Sequence, residues 1–346
     1  MSSRSPRRPP SPALVVAARH GLPGVVDRTT ELPAAAWDDV FVAARRDHLS
    51  GLLATAVADG VIEVDPDTRL SVDASWHEEL VASVLLEALL VRTAALLDAE
   101  SIPFRLTKGA ALAHLDYPAP AVRTFGDVDV IVHPSGLAGA LEVLASNGFV
   151  RASTPLRGGY DHRFGKGATF RTTAGLEVDL HRRLAIGRFG VTSRTEDLFA
   201  GDAAIALGGR RIPVLDPPER LLHACYHAAL GGFRYLRAFR DVAQLILVTT
   251  ADWEHTFAIA DGWRSAPVVA AAIREAWETL DLDTSHPAHR AALSTPLQRA
   301  DRRALAVFAA EAPFRRQALT AIGRLSPLDV PRYLWCLARP PSRHRA

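Results

Sequence analysis

A chain of 346 residues is long enough for more than one packed unit, since a single core rarely keeps growing past roughly 250 to 300 residues. Forty Lys and Arg against 38 Asp and Glu give a net charge of +2, and 48% hydrophobic with 23% charged residues excludes intrinsic disorder and disfavours a dedicated polyanion binder. Cys225 and Cys336 are too few and too distant for a disulfide framework or a thiolate metal site, which fits a reducing compartment. The most apolar stretch is interrupted by Glu87 and Arg92, and no secretion signal is present, so a cytoplasmic protein without membrane contact is expected.

Residues 1–12 and 339–346 are rich in Pro and Arg and are expected to be frayed tails. A helical unit is predicted over 13–100: Trp37, Val40, Phe41 and Ala44 recur at helical spacing, and 76–99 form a long amphipathic run. Over 101–215 the texture becomes α/β. A short strand ends at Lys108-Gly109, a helix covers about Ala110 to Leu115, and Phe125 to Val132 reads as a strand whose second half is buried. Ser135 is the expected cap of the next helix and Asn147-Gly148 its stop. A hairpin of Ala168 to Thr173 and Leu176 to Leu180 follows. From 216 to 338 the helical period returns.

Asp127 and Asp129 stand two apart on a predicted strand, so both carboxylates leave one face and suit a pair of hard cations such as Mg²⁺. Asp179 alternates with Val178 and Leu180 and shares its face with Glu177 and His181. If the two strands are neighbours, three carboxylates converge, an arrangement that calls for bound divalent cations and suits two-metal phosphoryl transfer. Lys108-Gly109 at the strand-to-helix turn lets backbone approach phosphate oxygens and adds a point charge. Lysine occurs only here and at Lys166, in a chain otherwise using arginine, which marks both as sites wanting a compact cation.

The run FRLTKGAALAHLDYPAPAVRTFGDVDVIV, followed by a helix, an Asn-Gly stop and LEVDLHRRL, resembles the nucleotidyltransferases of the DNA polymerase β superfold. More narrowly, it is similar to the bacterial uncharacterised nucleotidyltransferases, in which Lys-Gly replaces Gly-Ser and an Arg precedes Asp-x-Asp. The resemblance covers about Leu14 to at least Leu247. It implies an α+β fold: a small mixed sheet flanked by helical N-terminal and C-terminal units, with NTP and acceptor held between them. It implies Asp127 and Asp129 as ligands of two Mg²⁺ ions (Mn²⁺ being an alternative), with Asp179 as third carboxylate and general base. Lys108, Gly109, Arg123 and Lys166 are the expected triphosphate contacts. Two departures stand out: Ala110 replaces the superfamily serine, and seventeen residues separate Gly109 from Asp127.

Other residues keep two readings. Glu177 competes with Asp179 as third ligand. His181 orients Asp179, touches nucleotide or caps its strand. His223 and His227, four apart on one helix face, line the acceptor groove or pack in the core, a zinc site being disfavoured without a nearby glutamate. Arg240-Asp241 is a local ion pair or a substrate contact, and the loop 157–167 closes over phosphate or is plain solvated loop. The implied reaction is transfer of an NMP group from NTP to a hydroxyl or phosphate of a small molecule or peptide, with release of pyrophosphate. A toxin-like enzyme modifying tRNA or protein is the alternative, so nucleic acid is a possible partner that the charge does not favour. A catalytically silent nucleotide-binding scaffold is the third reading.

Overall fold

A computed structural model describes residues 10–26, 30–32, 36–153 and 159–338. The expected tails fall outside these residues, except for 10–12, of which Pro12 already opens the first helix, and so do Arg157 and Gly158 of the loop expected over phosphate. In chain order the first half contains α1 (Pro12–Arg19), β1 (Thr30–Glu31), α2 (Trp37–Asp47), α3 (Ser50–Ala58), β2 (Ile62–Glu63) and α4 (Pro66–Ala99). Then come β3 (Phe104–Leu106), α5 (Ala110–Leu115), β4 (Val128–Val132), α6 (Leu137–Ser146) and β5 (Val150–Arg151). The second half contains α7 (Tyr160–Arg163), β6 (Gly167–Arg171), β7 (Glu177–His181), α8 (Gly187–Gly190), β8 (Ala204–Leu207), β9 (Arg210–Pro213), α9 (Pro217–Leu230) and α10 (Leu236–Leu247). Six more helices lie within 253–338.

α4 starts ten residues before the amphipathic run that announced it. Asp65 caps it by accepting from the backbone N–H groups of Asp67 and Thr68 at 3.0 and 2.9 Å, and Pro66 sits at the first helical position, where its missing N–H costs nothing. By length and composition it could cross a membrane. Its interrupting charges are both used: His114 lies 2.7 Å from Glu87, and Arg92 donates to the Asn147 carbonyl at 2.7 Å.

The sheet is the expected small mixed one, in the order β3-β4-β7-β6-β5, with β4 and β7 parallel and the other pairs antiparallel. Strand alternation divides its residues between two cores. Val128, Val130, Val132, Val178 and Leu180 pack with the second half of α4 and with α6. Ile131, on the opposite face, joins a larger core in which α1–α3 pack against α9, α10 and later helices. The helical segments at the two ends of the chain thus share one interior.

Two local expectations are corrected, and one element is new. β4 begins at Val128 and all five of its residues are buried, so Asp127 stands on the turn before it. Ser135 caps nothing; it lies in a short 3₁₀ turn where its own N–H is accepted by His133 Nδ1, and the helix starts at Leu137. The β8–β9 hairpin was not anticipated, although Gly208-Gly209, both at positive φ (55° and 72°), is the turn that a two-residue hairpin favours.

Candidate active site

The parallel pairing of β4 with β7 sets Asp129 directly opposite Asp179 and Ile131 opposite His181. Asp129 is 2% exposed. His181 Nε2 lies 2.8 Å from its Oδ1, and the Lys108 ammonium lies 2.9 Å from its Oδ2 and 3.3 Å from Asp127 Oδ2. Asp179 Oδ1 accepts from the Thr169 hydroxyl at 2.6 Å. Ligand atoms of Asp129, Asp179 and His181 all fall within 4.8 Å of one another. Glu177 is not among them: at the far end of β7 it pairs with Arg171, its neighbour on β6.

The electrostatics separate the two aspartates of the turn and strand. Burial would raise the Asp129 carboxyl, but Lys108 and the His181 hydrogen bond outweigh it and hold it well below the ordinary carboxylate range. Asp127 is pushed up, by burial first and then by the charge of Asp129, against the pull of Lys108. Lys108 is the one contact of the buried Asp129 Oδ2 among the described residues, which leaves that oxygen capacity for a further ligand. A cation resting between two carboxylates, a buried oxygen with spare capacity and an adjacent acid-imidazole pair form a donor set that fits a divalent ion. Asp129, Asp179 and His181 are the group able to hold one, His181 supplying a nitrogen beside the two expected carboxylates.

Gly109 adopts φ 59° and ψ −115°, a conformation that β-carbons exclude, and an added Cβ would lie 3.3 Å from the Phe125 ring. α5 behind it has only six residues, so anion binding at this turn rests on Lys108 and open backbone rather than on a helix dipole. Arg123 does not face this space. It is 1% exposed and forks onto Asp241, Nε to Oδ1 at 2.8 Å and Nη2 to Oδ2 at 2.7 Å, while Nη1 reaches the Gly109 carbonyl at 3.3 Å. Tyr117 donates to the same Asp241 at 2.9 Å. Arg123 therefore supports the glycine turn from beneath, and Asp241 is its counterion rather than a partner of Arg240. Arg240 donates to the carbonyls of Ala18 and His20 at 2.9 and 2.6 Å and to Gln244, strapping α10 to α1.

Lys166 precedes β6, where its carbonyl accepts from the N–H groups of Arg182 and Arg183; its ammonium makes no hydrogen bond or ion pair among the described residues and lies within the fields of Asp129, Asp179 and Asp127, and burial lowers its pKa. His223 and His227 stack with ring centroids 6.5 Å apart, near the same charges. Burial chiefly depresses both, His223 to about 3, so both stay neutral. Neither joins the group able to hold a metal.

The N-terminal helices add residues that no motif announced. His48, left-handed at φ 49° after α2, presses its ring against Gly126, where an added Cβ would meet Cε1 and Nε2 at 2.9 Å. Burial, then Arg237, Arg123 and Lys108, lower its pKa to about 3. Glu79 of α4 accepts from the hydroxyls of Ser50 (2.7 Å) and Thr124, fastening the loop that carries Asp127. Arg237, on the first turn of α10, lies near Asp127 and Lys108.

A family model described as uncharacterised nucleotidyltransferase matches residues 33–281. Among solved structures, an antigenic nucleotidyltransferase-like protein from Paracoccidioides brasiliensis is 19% identical; the alignment covers 57% of this chain and 93% of that one, with a TM-score of 0.32. The solution structure of the antibiotic-resistance factor ANT(2'')-Ia is 14% identical, covering 57% of this chain and 96% of that one, with a TM-score of 0.31. No curated protein matches the sequence.

Proposed function

The chain belongs to the uncharacterised nucleotidyltransferase family, and from that premise we propose that it is a Mg²⁺-dependent enzyme transferring an NMP group from NTP to an acceptor hydroxyl or phosphate. The observation that carries this reading is the convergence of Asp127, Asp129, Asp179 and His181 at the joined ends of β4 and β7, beside Lys108. Divalent ions held there would supply charge neutralisation of the triphosphate and acidify the attacking hydroxyl. The protein's own residues do the rest. Asp129, kept ionised by Lys108 and His181, is the fixed carboxylate of the site. Asp179, oriented by Thr169, receives the acceptor proton. Lys108 and Lys166 neutralise phosphate oxygens, while Arg123 and Asp241 keep the Gly109 turn open for close backbone approach.

The charge balance supports a triphosphate. The three aspartates are matched by Lys108, Lys166 and Arg237, so the cleft alone is close to neutral; two divalent ions would add positive charge that the roughly four negative charges of an ionised triphosphate cancel. The near-neutral chain favours a small molecule or peptide as acceptor over nucleic acid.

The test is nucleotide binding and pyrophosphate release with ATP, GTP, CTP and UTP, in Mg²⁺, Mn²⁺ and EDTA, for wild type and Asp127→Asn/Asp129→Asn. Metal-dependent NTP binding is expected in wild type, with turnover lower by on the order of 10³-fold or more in the double variant at unchanged circular dichroism. Equal turnover in the two proteins would overturn the assignment.

A further inference from the structure

The four buried arginines among the described residues all have acceptors. Arg123 is forked onto Asp241, Arg220 onto Asp116 with both contacts at 2.9 Å, Arg188 bonds Asp301 at 2.7 Å, and Arg240 holds Gln244 and two carbonyls. Even those with an idle Nε, Arg105 and Arg183, still donate through their terminal nitrogens. Arg237 differs from all of them. Its Nε is buried without a hydrogen-bond partner, and its guanidinium forms no hydrogen bond or ion pair among the described residues.

Its surroundings locate it. Arg237 and Arg123 repel one another, Asp241 and Asp127 attract it, and its charge acts on Lys108, His48, Glu79 and His227. Arg123 donates to the Gly109 carbonyl. The N–H of its neighbour Leu236 is accepted by Asp47 Oδ2 at 3.1 Å, and His48, next to Asp47, packs against Gly126, so the first turn of α10 lies beside the loop of Asp127 and the Lys108-Gly109 turn. Lys166 stands beside His181, its carbonyl accepting from the N–H groups of Arg182 and Arg183 at 2.6 and 3.0 Å.

An unpaired guanidinium, half out of water and beside a second arginine, is unfavourable in the free protein. Asp127 cannot relieve it, because that carboxylate faces Lys108 and is required for metal. What is missing is an anion supplied from outside. A guanidinium presents a planar fork of donors that matches two oxygens of one phosphate, which a lysine cannot do. We propose that Arg237 anchors the terminal phosphates of the NTP, the part that leaves as pyrophosphate, at the Gly109 edge of the site. This rests on the nucleotidyl-transfer reading and adds to it the group that recognises the leaving group.

The test uses the full chain and Mg²⁺ with three probes: NTP, the matching NMP and inorganic pyrophosphate, titrated calorimetrically into wild type, Arg237→Ala and Arg237→Lys. The alanine variant is expected to lose about 10- to 100-fold in affinity for NTP and pyrophosphate and less than about twofold for NMP, with partial recovery in the lysine variant. Its melting temperature without ligand should equal or exceed that of wild type, because an uncompensated cation has been removed; a residue with a merely structural role would lower it. Unchanged NTP and pyrophosphate affinity in Arg237→Ala, beside normal wild-type binding, would overturn the proposal alone. Equal losses for NMP and NTP would also overturn it, placing Arg237 at the α-phosphate or the acceptor. Wild type that binds no NTP would remove the nucleotidyl-transfer reading and this role together.

Discussion

Two ionic clusters meet at the Lys108-Gly109 turn, and they are built on opposite principles. In the first, Arg123, Asp241 and Tyr117 match donor to acceptor so completely that the guanidinium fork and both carboxylate oxygens are used. In the second, Lys108 is set between two carboxylates that repel each other, Asp129 keeps an oxygen whose one contact among the described residues is Lys108, and the side chains of Lys166 and Arg237 make no ion pair or hydrogen bond among the described residues. Both are ionic, and each has a buried carboxylate at its centre, Asp241 and Asp129. A closed pair can only hold the chain in place, whereas a mismatched set gains stability when something else arrives. Burial of charge is therefore a poor guide to function, and incompleteness of pairing is a better one.

That contrast can be broken from the closed side first. Asp241→Ala strips Arg123 of its counterion and leaves a buried charge alone, which should cost about 3–5 kcal/mol in urea unfolding. A loss under about 1 kcal/mol would mean that the pair is not a foundation of the fold. A smaller effect is expected at the boundary between the clusters. Gly109→Ala forces a side chain into a backbone region that β-carbons avoid and towards Phe125, costing roughly 1–3 kcal/mol, and NTP affinity should fall with it. Wild-type affinity in a folded Gly109→Ala variant would separate the turn from phosphate binding.

The smallest expected effect is a pH dependence, measured in EDTA. Burial holds His223 neutral in the folded chain, with its pKa near 3, while the unfolded chain protonates it near 6.5. The unfolded state then binds the extra proton, so stability should decline as pH falls below 6.5, by about 2 kcal/mol between pH 6.5 and 5 for one such group. His223→Gln should flatten that slope. An identical slope in the variant would assign it to other groups.

Much of the open cluster was legible from sequence because it is written in short range. Period-two alternation places Asp129 and Asp179 on one face of their strands, Lys108-Gly109 marks a strand-to-helix turn, and these fall within motifs of a few residues. The closed cluster was not legible for the opposite reason. Arg123 and Asp241 are 118 positions apart, and Asp241 follows Arg240 so directly that the two suggest a pair. Consecutive residues on a helix do not face each other, and α10 sends them to different partners. His48, Glu79 and Arg237 escaped for the same reason: each reaches the site from an element whose own periodicity reports only packing. The Ser135 cap failed because Pro134 and the His133 ring already organise that turn as 3₁₀.

The shared interior of α1–α3 with α9, α10 and later helices has a bearing on how the chain folds during synthesis. Ala13, Leu14 and Ala17 are buried in a core completed by Val242, Ile273 and Trp277, and the Leu236 N–H is accepted by Asp47 Oδ2 at 3.1 Å, 189 positions earlier. Helix α1 must therefore wait for α10, which is made more than two hundred residues later, before its apolar face is covered on that side. The sheet with α4 and α6 can close earlier, since its core is drawn mostly from 86–214. Folding should then proceed from the middle outward, with the two ends meeting last, a sequence of long-range closure that slows the final step.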